Sequence, residues 1–158
     1  MSTPNQVWNN YLKSLGEDPV KTEKAFPIVD HFCDEKEQTD NLYNLVIQGI
    51  KRATTASVKI CEYYNEDFSK PGDYWILTNF DETECCVLQT VKSTIKKFNQ
   101  ITEEDAYIEG EGDKTLKYWR EVHKSFFEEE YKSLGWKFSE DIEVVFEEFK
   151  VVYVDTVA

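Results

Sequence analysis

Apolar residues recur at helical spacing in three stretches of the chain and at strand spacing in several more. Val7, Trp8, Tyr11, Leu12 and Leu15 follow a Thr3-Pro4 start and stop at Gly16, which predicts a first helix. Leu42, Leu45, Val46 and Ile47 follow Thr39 and Asp40 and close at Gly49, predicting a second. Leu116, Trp119, His123, Phe126, Phe127, Tyr131 and Leu134 recur at three and four until Gly135, predicting the longest helix. Before it, Thr102-Glu103-Glu104-Asp105 reads as a helix start with an acidic capping-box residue. It leads through Ala106 and Ile108 to the abrupt Glu109-Gly110-Glu111-Gly112-Asp113, where Asp113 is placed to cap the long helix.

Period-two patterns fill the middle. The segment from Ala53 to Ile60 alternates, with Ala53, Thr55, Ser57 and Lys59 on one face and Thr54, Ala56, Val58 and Ile60 on the other. The second face is the more apolar, so Thr54 is expected to point inward. Lys70-Pro71-Gly72-Asp73 is a turn, Tyr74 to Thr78 a strand, Asn79 to Glu84 a hairpin connection and Cys85 to Ile95 a long β-branched run. Ile142 to Val154 reads as a closing strand. Between Glu17 and Gln38 the pattern is irregular, and Phe26, Ile28, Val29 and Phe32 fit a short strand or a packed loop. Helices at the edges around a strand-rich centre indicate an α+β domain with a small β-barrel or curled sheet. No linker or repeat divides it, so one domain over residues 1–158 is expected.

Composition narrows the functional classes. Apolar residues make up 41% and aromatics 15% of the 158 residues, enough to build a core. The 18 basic and 31 acidic residues leave a net charge of -13. That charge repels polyanions at long range, so broad coating of nucleic acid is disfavoured. A small-molecule or nucleoside ligand fits it better, with any single-stranded RNA contact confined to a local patch. Cys33, Cys61, Cys85 and Cys86 show no Cys-x-x-Cys spacing and have only His31 and His123 to help them, which argues against zinc. Adjacent Cys85 and Cys86 face opposite ways on a strand, so reduced thiols are expected. The N-terminal residues show no basic segment followed by an apolar run, and no apolar stretch approaches membrane-spanning length, so a cytoplasmic location without membrane contact is the expectation.

Lys51 and Thr54, directly after Gly49, are the first candidates for chemistry. A hydroxyl becomes a nucleophile when a neighbour takes its proton, and a lysine does so only if its pKa falls from about 10.4 to roughly 7 or 8. The other reading is a solvated loop lysine beside a threonine bonded to a backbone carbonyl. Glu109, Glu111 and Asp113 alternate with glycines, a spacing that divides between one functional carboxylate, one cap and one solvated group. It lacks the remaining residues of a calcium loop, so no metal is assigned. Trp119, Arg120 and His123 lie on or beside the inner stripe of the long helix, positioned either to read a planar ligand or as core residues beside a solvated arginine.

Taken in order, Gly49-x-Lys51-x-x-Thr54, Pro71-Gly72-Asp73 before a strand, Ala106-Tyr107-Ile108-Glu109-Gly110-Glu111-Gly112-Asp113 and Tyr118-Trp119-Arg120-x-x-His123-x-x-Phe126-Phe127 resemble the ASCH domain family. The likeness runs through nearly the whole chain and is to the family's larger, bacterial-type branch. It implies a PUA-like β-barrel with flanking helices, a fold associated with RNA and modified nucleosides. A compact branch of the family removes the acetyl group of N4-acetylcytidine with a lysine, a threonine and a glutamate. Lys51 and Thr54 match the first two and Glu109 the third, with Thr55, Glu111, Trp119, Arg120 and His123 as substrate-binding candidates. No cofactor is implied. The resemblance leaves two further readings: a non-catalytic RNA- or nucleotide-binding module, and an RNA-cleaving protein.

Overall fold

The computed structural model describes residues 2–155. Its elements run α1 (Pro4–Ser14), β1 (Ile28–Asp30), α2 (Lys36–Ile47), β2 (Ala53–Ser57), α3 (Val58–Tyr63), β3 (Tyr74–Thr78), β4 (Cys85–Lys97), a 3-10 turn (Phe98–Gln100), α4 (Glu103–Glu109), α5 (Leu116–Ser133) and β5 (Glu143–Val154). The five strands form a mixed sheet in the order β1-β3-β4-β5-β2. Two compact units divide the chain, each assembled from separated segments, and β4 and β5 contribute residues to both.

The first unit comprises residues 1–49, 72–90 and 149–158. In it β1 runs parallel to β3, and β3 pairs antiparallel with the start of β4, Trp75 opposite Leu88 and Leu77 opposite Cys86. Alternation splits these strands between two apolar clusters. Ile76, Cys85 and Val87 pack with Val7, Trp8, Tyr11 and Leu12 of α1, while Leu77, Cys86 and Leu88 pack with Tyr43 and Val46 of α2. The two adjacent cysteines thus lie on opposite faces, and they and Cys61 are free thiols. Helix α1 begins as expected, with a Thr3–Gln6 capping box and Pro4 in its first turn. Helix α2 starts one turn earlier than expected, because Glu35 occupies the cap position without a side-chain bond and Thr39 is buried inside the helix. The irregular region does contain a strand, β1, where Ile28 and Val29 were candidates.

The second unit comprises residues 50–71 and 91–148. There β2 pairs antiparallel with β5, Ala53 opposite Glu148 and Ser57 opposite Val144. Its core joins Ala53, Phe98, Ile101, Ala106, Trp119, Phe127, Val144 and Phe146. The expected strand to Ile60 stops at Ser57 instead. The Ser57 hydroxyl accepts the Ile60 N–H and so caps α3, which takes Val58 to Tyr63 out of the ladder. Helix α4 starts on the Thr102–Asp105 capping box read from the sequence. Helix α5 is capped by Thr115 rather than Asp113: Thr115 accepts the Tyr118 N–H, and Asp113 accepts the Thr115 N–H and hydroxyl in the turn before it. Among the described residues, no helix is long and apolar enough to cross a membrane.

Candidate functional site

Within the second unit, two backbone contacts bring two remote segments together. The Arg52 N–H donates to the Ile108 carbonyl at 2.9 Å, laying the chain before β2 against the end of α4. Gly110 then closes α4 in the left-handed region (φ 76°), where a Cβ atom would lie 2.2 Å from the Ile50 carbonyl oxygen. Glycine is required there on both counts. This close approach sets Glu109, the last residue of α4, beside Lys51 and β2.

Glu109 is 1% exposed and is the hub of a buried polar cluster. One carboxylate oxygen, Oε1, accepts from the Thr55 hydroxyl at 2.6 Å and from the Trp119 indole N–H at 2.8 Å. The other, Oε2, lies 2.8 Å from His123 Nε2 and 3.7 Å from Lys51 Nζ. Trp119 and His123, one turn apart on α5, stack at 4.1 Å with 14° between their planes, so both polar edges meet the same carboxylate. His123 Nδ1 is 2.9 Å from the Trp119 carbonyl, which can only accept, so Nδ1 carries a proton. Facing a carboxylate with Nε2 as well, the ring is an imidazolium paired with Glu109.

The energetics agree. Burial alone would push the Glu109 carboxyl up, but the positive charges of His123 and Lys51 and the bonds from His123 and Thr55 outweigh it and hold the group well below the usual range. Burial would push His123 down, and the charge and hydrogen bond of Glu109 reverse that and raise it. Glu111 behaves oppositely: burial and the Glu109 charge raise its carboxyl despite the opposing effect of Lys51. Lys51 Nζ donates to the Ala53 carbonyl at 2.7 Å and stands 3.4 Å from Glu111 Oε2. The lysine, 2% exposed, therefore lies between a sealed carboxylate and one whose side chain keeps 17% exposure. Its nitrogen is fixed in place by the Ala53 carbonyl and the two carboxylates. Among the described residues, Glu109, Glu111 and His123 also form a group whose ligand atoms lie within 4.8 Å of one another. Lys51 and the imidazolium already provide that group with positive charge, and both Glu109 oxygens have donors.

Lys51, Thr55, Glu109, Glu111, Trp119 and His123 thus meet in one place. Thr54 does not join them. The expected inward face of β2 is reversed: Ala53, Thr55 and Ser57 are buried while Thr54 and Ala56 are half-buried. Polar Thr55 and Ser57 face inward because each has a buried partner, Glu109 and Tyr131. Arg120 is exposed, on a different face of α5 from Trp119 and His123. Asp113 serves the turn before α5 and is likewise outside the cluster.

The solved structures agree with this architecture. A crystal structure of an ASCH domain from Lactobacillus crispatus JV V101 matches with a TM-score of 0.85 and 32% sequence identity, covering 97% of this chain and 96% of that one. A protein from Enterococcus faecalis V583, described under the family model DUF984, matches with a TM-score of 0.83 and 32% identity, covering 94% and 86%. No functionally curated protein matches the sequence. The fold is accordingly α+β and PUA-like. The sequence model for the ASCH domain matches residues 29–153, which include every member of the buried cluster, and the chain belongs to the ASCH domain family.

Proposed function

We propose that the chain is an amidohydrolase for acylated nucleosides of the N4-acetylcytidine type, with Lys51, Glu109 and Glu111 at its centre. The observation that carries this reading is Lys51 lodged between two carboxylates, one sealed by four neighbours and one reaching solvent. Burying such a set is costly unless the groups are used or fully paired. Lys51 acts as the cation that stabilises the oxyanion formed when the amide carbonyl is attacked. Glu111, with its carboxyl raised by burial and its edge in solvent, is suited to take a proton from an attacking water. The C–O bond forms as that proton reaches Glu111. It then passes to the leaving nitrogen as the C–N bond breaks, releasing acetate and the free amine.

Glu109 is a poor base because its oxygens are occupied and its carboxyl is held low. It orients Thr55, Trp119 and His123 instead. The Thr55 hydroxyl, rather than that of Thr54, is the one within the cluster, so Thr55 is the threonine assigned to this site. Acetate release from N4-acetylcytidine, followed for the parent and for Glu111→Gln, tests the reading. The expected loss in kcat is about 10²- to 10⁴-fold, the usual contribution of a positioned base. Release that is absent in the parent across acylated nucleosides, or undiminished in Glu111→Gln, overturns it.

A further inference from the structure

Outside the buried cluster, but on the segments that carry it, two cations converge on one exposed ring. Tyr107 of α4 is 57% exposed. The Arg52 guanidinium carbon lies 6.0 Å from its centroid and Lys114 Nζ lies 5.6 Å away. Arg52 follows Lys51 directly, and its N–H is bonded to Ile108. Lys114 is held in the left-handed region (φ 65°), a strained placement for a non-glycine residue, with its N–H on the Glu111 carbonyl at 3.0 Å. The three side chains therefore bracket the stretch from Ile108 to Asp113 that supplies Glu109 and Glu111. Neither Arg52 nor Lys114 has a carboxylate within ion-pair distance among the described residues. The neighbouring Asp113 carboxylate is turned to Thr115. In a chain with a charge of -13, two unpaired cations on one exposed aromatic make a local anion site with a stacking surface.

We propose that Arg52, Tyr107 and Lys114 bind the phosphate of a nucleotide or short single-stranded RNA, selecting a phosphorylated ligand over the free nucleoside. The assignment rests on the reading above only in placing a nucleoside at the neighbouring Lys51–Glu111 site. An arginine fork and a lysine suit phosphate oxygens, and the tyrosine ring offers a face to a base. The small size of the patch restricts the contact to one or two phosphates, in keeping with the repulsion that the rest of the surface exerts on long polyanions.

The test is calorimetric titration of the full chain with cytidine, cytidine 5′-monophosphate, cytidine 3′-monophosphate and a six-residue oligocytidylate at several salt concentrations. The parent is expected to prefer at least one phosphorylated probe over cytidine by about tenfold, the size of a charge-assisted contact. A preference for the monophosphates identifies a nucleotide site, and a preference confined to the hexamer identifies an RNA strand. Arg52→Gln with Lys114→Gln should remove that preference and flatten the salt dependence by about two phosphate contacts. Lys59→Gln, which removes an exposed lysine stacked on Trp136, should preserve it. Equal or absent binding of all phosphorylated probes by the parent, or an unchanged preference in the folded double variant, overturns the proposal. Acetate release from unphosphorylated N4-acetylcytidine is measured on the same parent preparation. Turnover without phosphate preference sinks the Arg52–Tyr107–Lys114 phosphate site alone, whereas phosphate preference without turnover sinks the amidohydrolase reading alone.

Discussion

Replacing Glu109 with glutamine removes one charge from the hub while preserving its shape. The amide oxygen can still accept from Thr55 and Trp119, whose donors sit 2.6 and 2.8 Å from Oε1. The amide NH₂ then faces His123 Nε2, which must become an acceptor. The histidine should turn neutral, because burial pushes its pKa down once the opposing carboxylate is gone. In the parent, the lowered Glu109 carboxyl adds stability that is present above the unfolded value of about 4.3 and lost as pH falls through the folded value. The raised His123 adds stability that is present below about 6.5 and lost as pH rises through its folded value. Both contributions are complete between those limits, so the stability gap between parent and Glu109→Gln should be widest near pH 5.5. Breaking a buried ion pair costs about 3–5 kcal/mol. For a chain of this length that is a fall in Tm of about 10 °C. At pH 9 the gap should narrow toward what Lys51 loses in counter-charge. Urea unfolding at both pH values measures the gap, and NMR titration of the two imidazoles follows His123 directly. An imidazole with the same midpoint in both proteins, or a gap under about 1 kcal/mol at pH 5.5, refutes the ion pair.

Gly110→Ala should disable the site and cost more than about 2 kcal/mol, since its Cβ would strike the Ile50 carbonyl; chemical denaturation measures this, and a near-neutral result would contradict the close approach. Thr55→Val should lower stability by about 1–3 kcal/mol by removing a buried donor to Glu109, and Thr54→Val should cost less; equal losses in parallel urea melts would contradict the assigned faces of β2. Cys85 and Cys86 should react slowly with a disulfide reagent at pH 7, because burial pushes their thiols up to about 11 and about 12, leaving little thiolate. Half-buried Cys33 should be the faster thiol, a ranking that mass spectrometry after partial labelling can check.

Much of the frame was legible in the residues because caps and periodicity are local. Thr3-Pro4, the Thr102–Asp105 box and the period-two runs at 74–78 and 85–95 mark elements that α1, α4, β3 and β4 reproduce. The misreadings share a cause. Val58 to Tyr63 has an apolar pattern that fits a strand or a short helix, and the hydroxyl of Ser57 decides for the helix. Asp113 and Thr115 are both competent caps, and the geometry of the turn decides between them. On β2 the more apolar face was expected inward, but a hydroxyl with a buried partner is better placed inside than out.

By itself, then, the sequence determined an α+β chain with a lysine, a glutamate, a tryptophan and a histidine available for one site. It did so because helix and strand periods and caps act over a few residues. The tertiary structure alone decided that Thr55 and not Thr54 meets Glu109, that Arg120 stays out, and that Glu111 is the carboxylate left at the edge. Those outcomes depend on the contact of Gly110 with Ile50 and on the stacking of Trp119 with His123. The Gly110 contact joins segments about sixty residues apart, a distance over which only the folded chain specifies which groups share a charge.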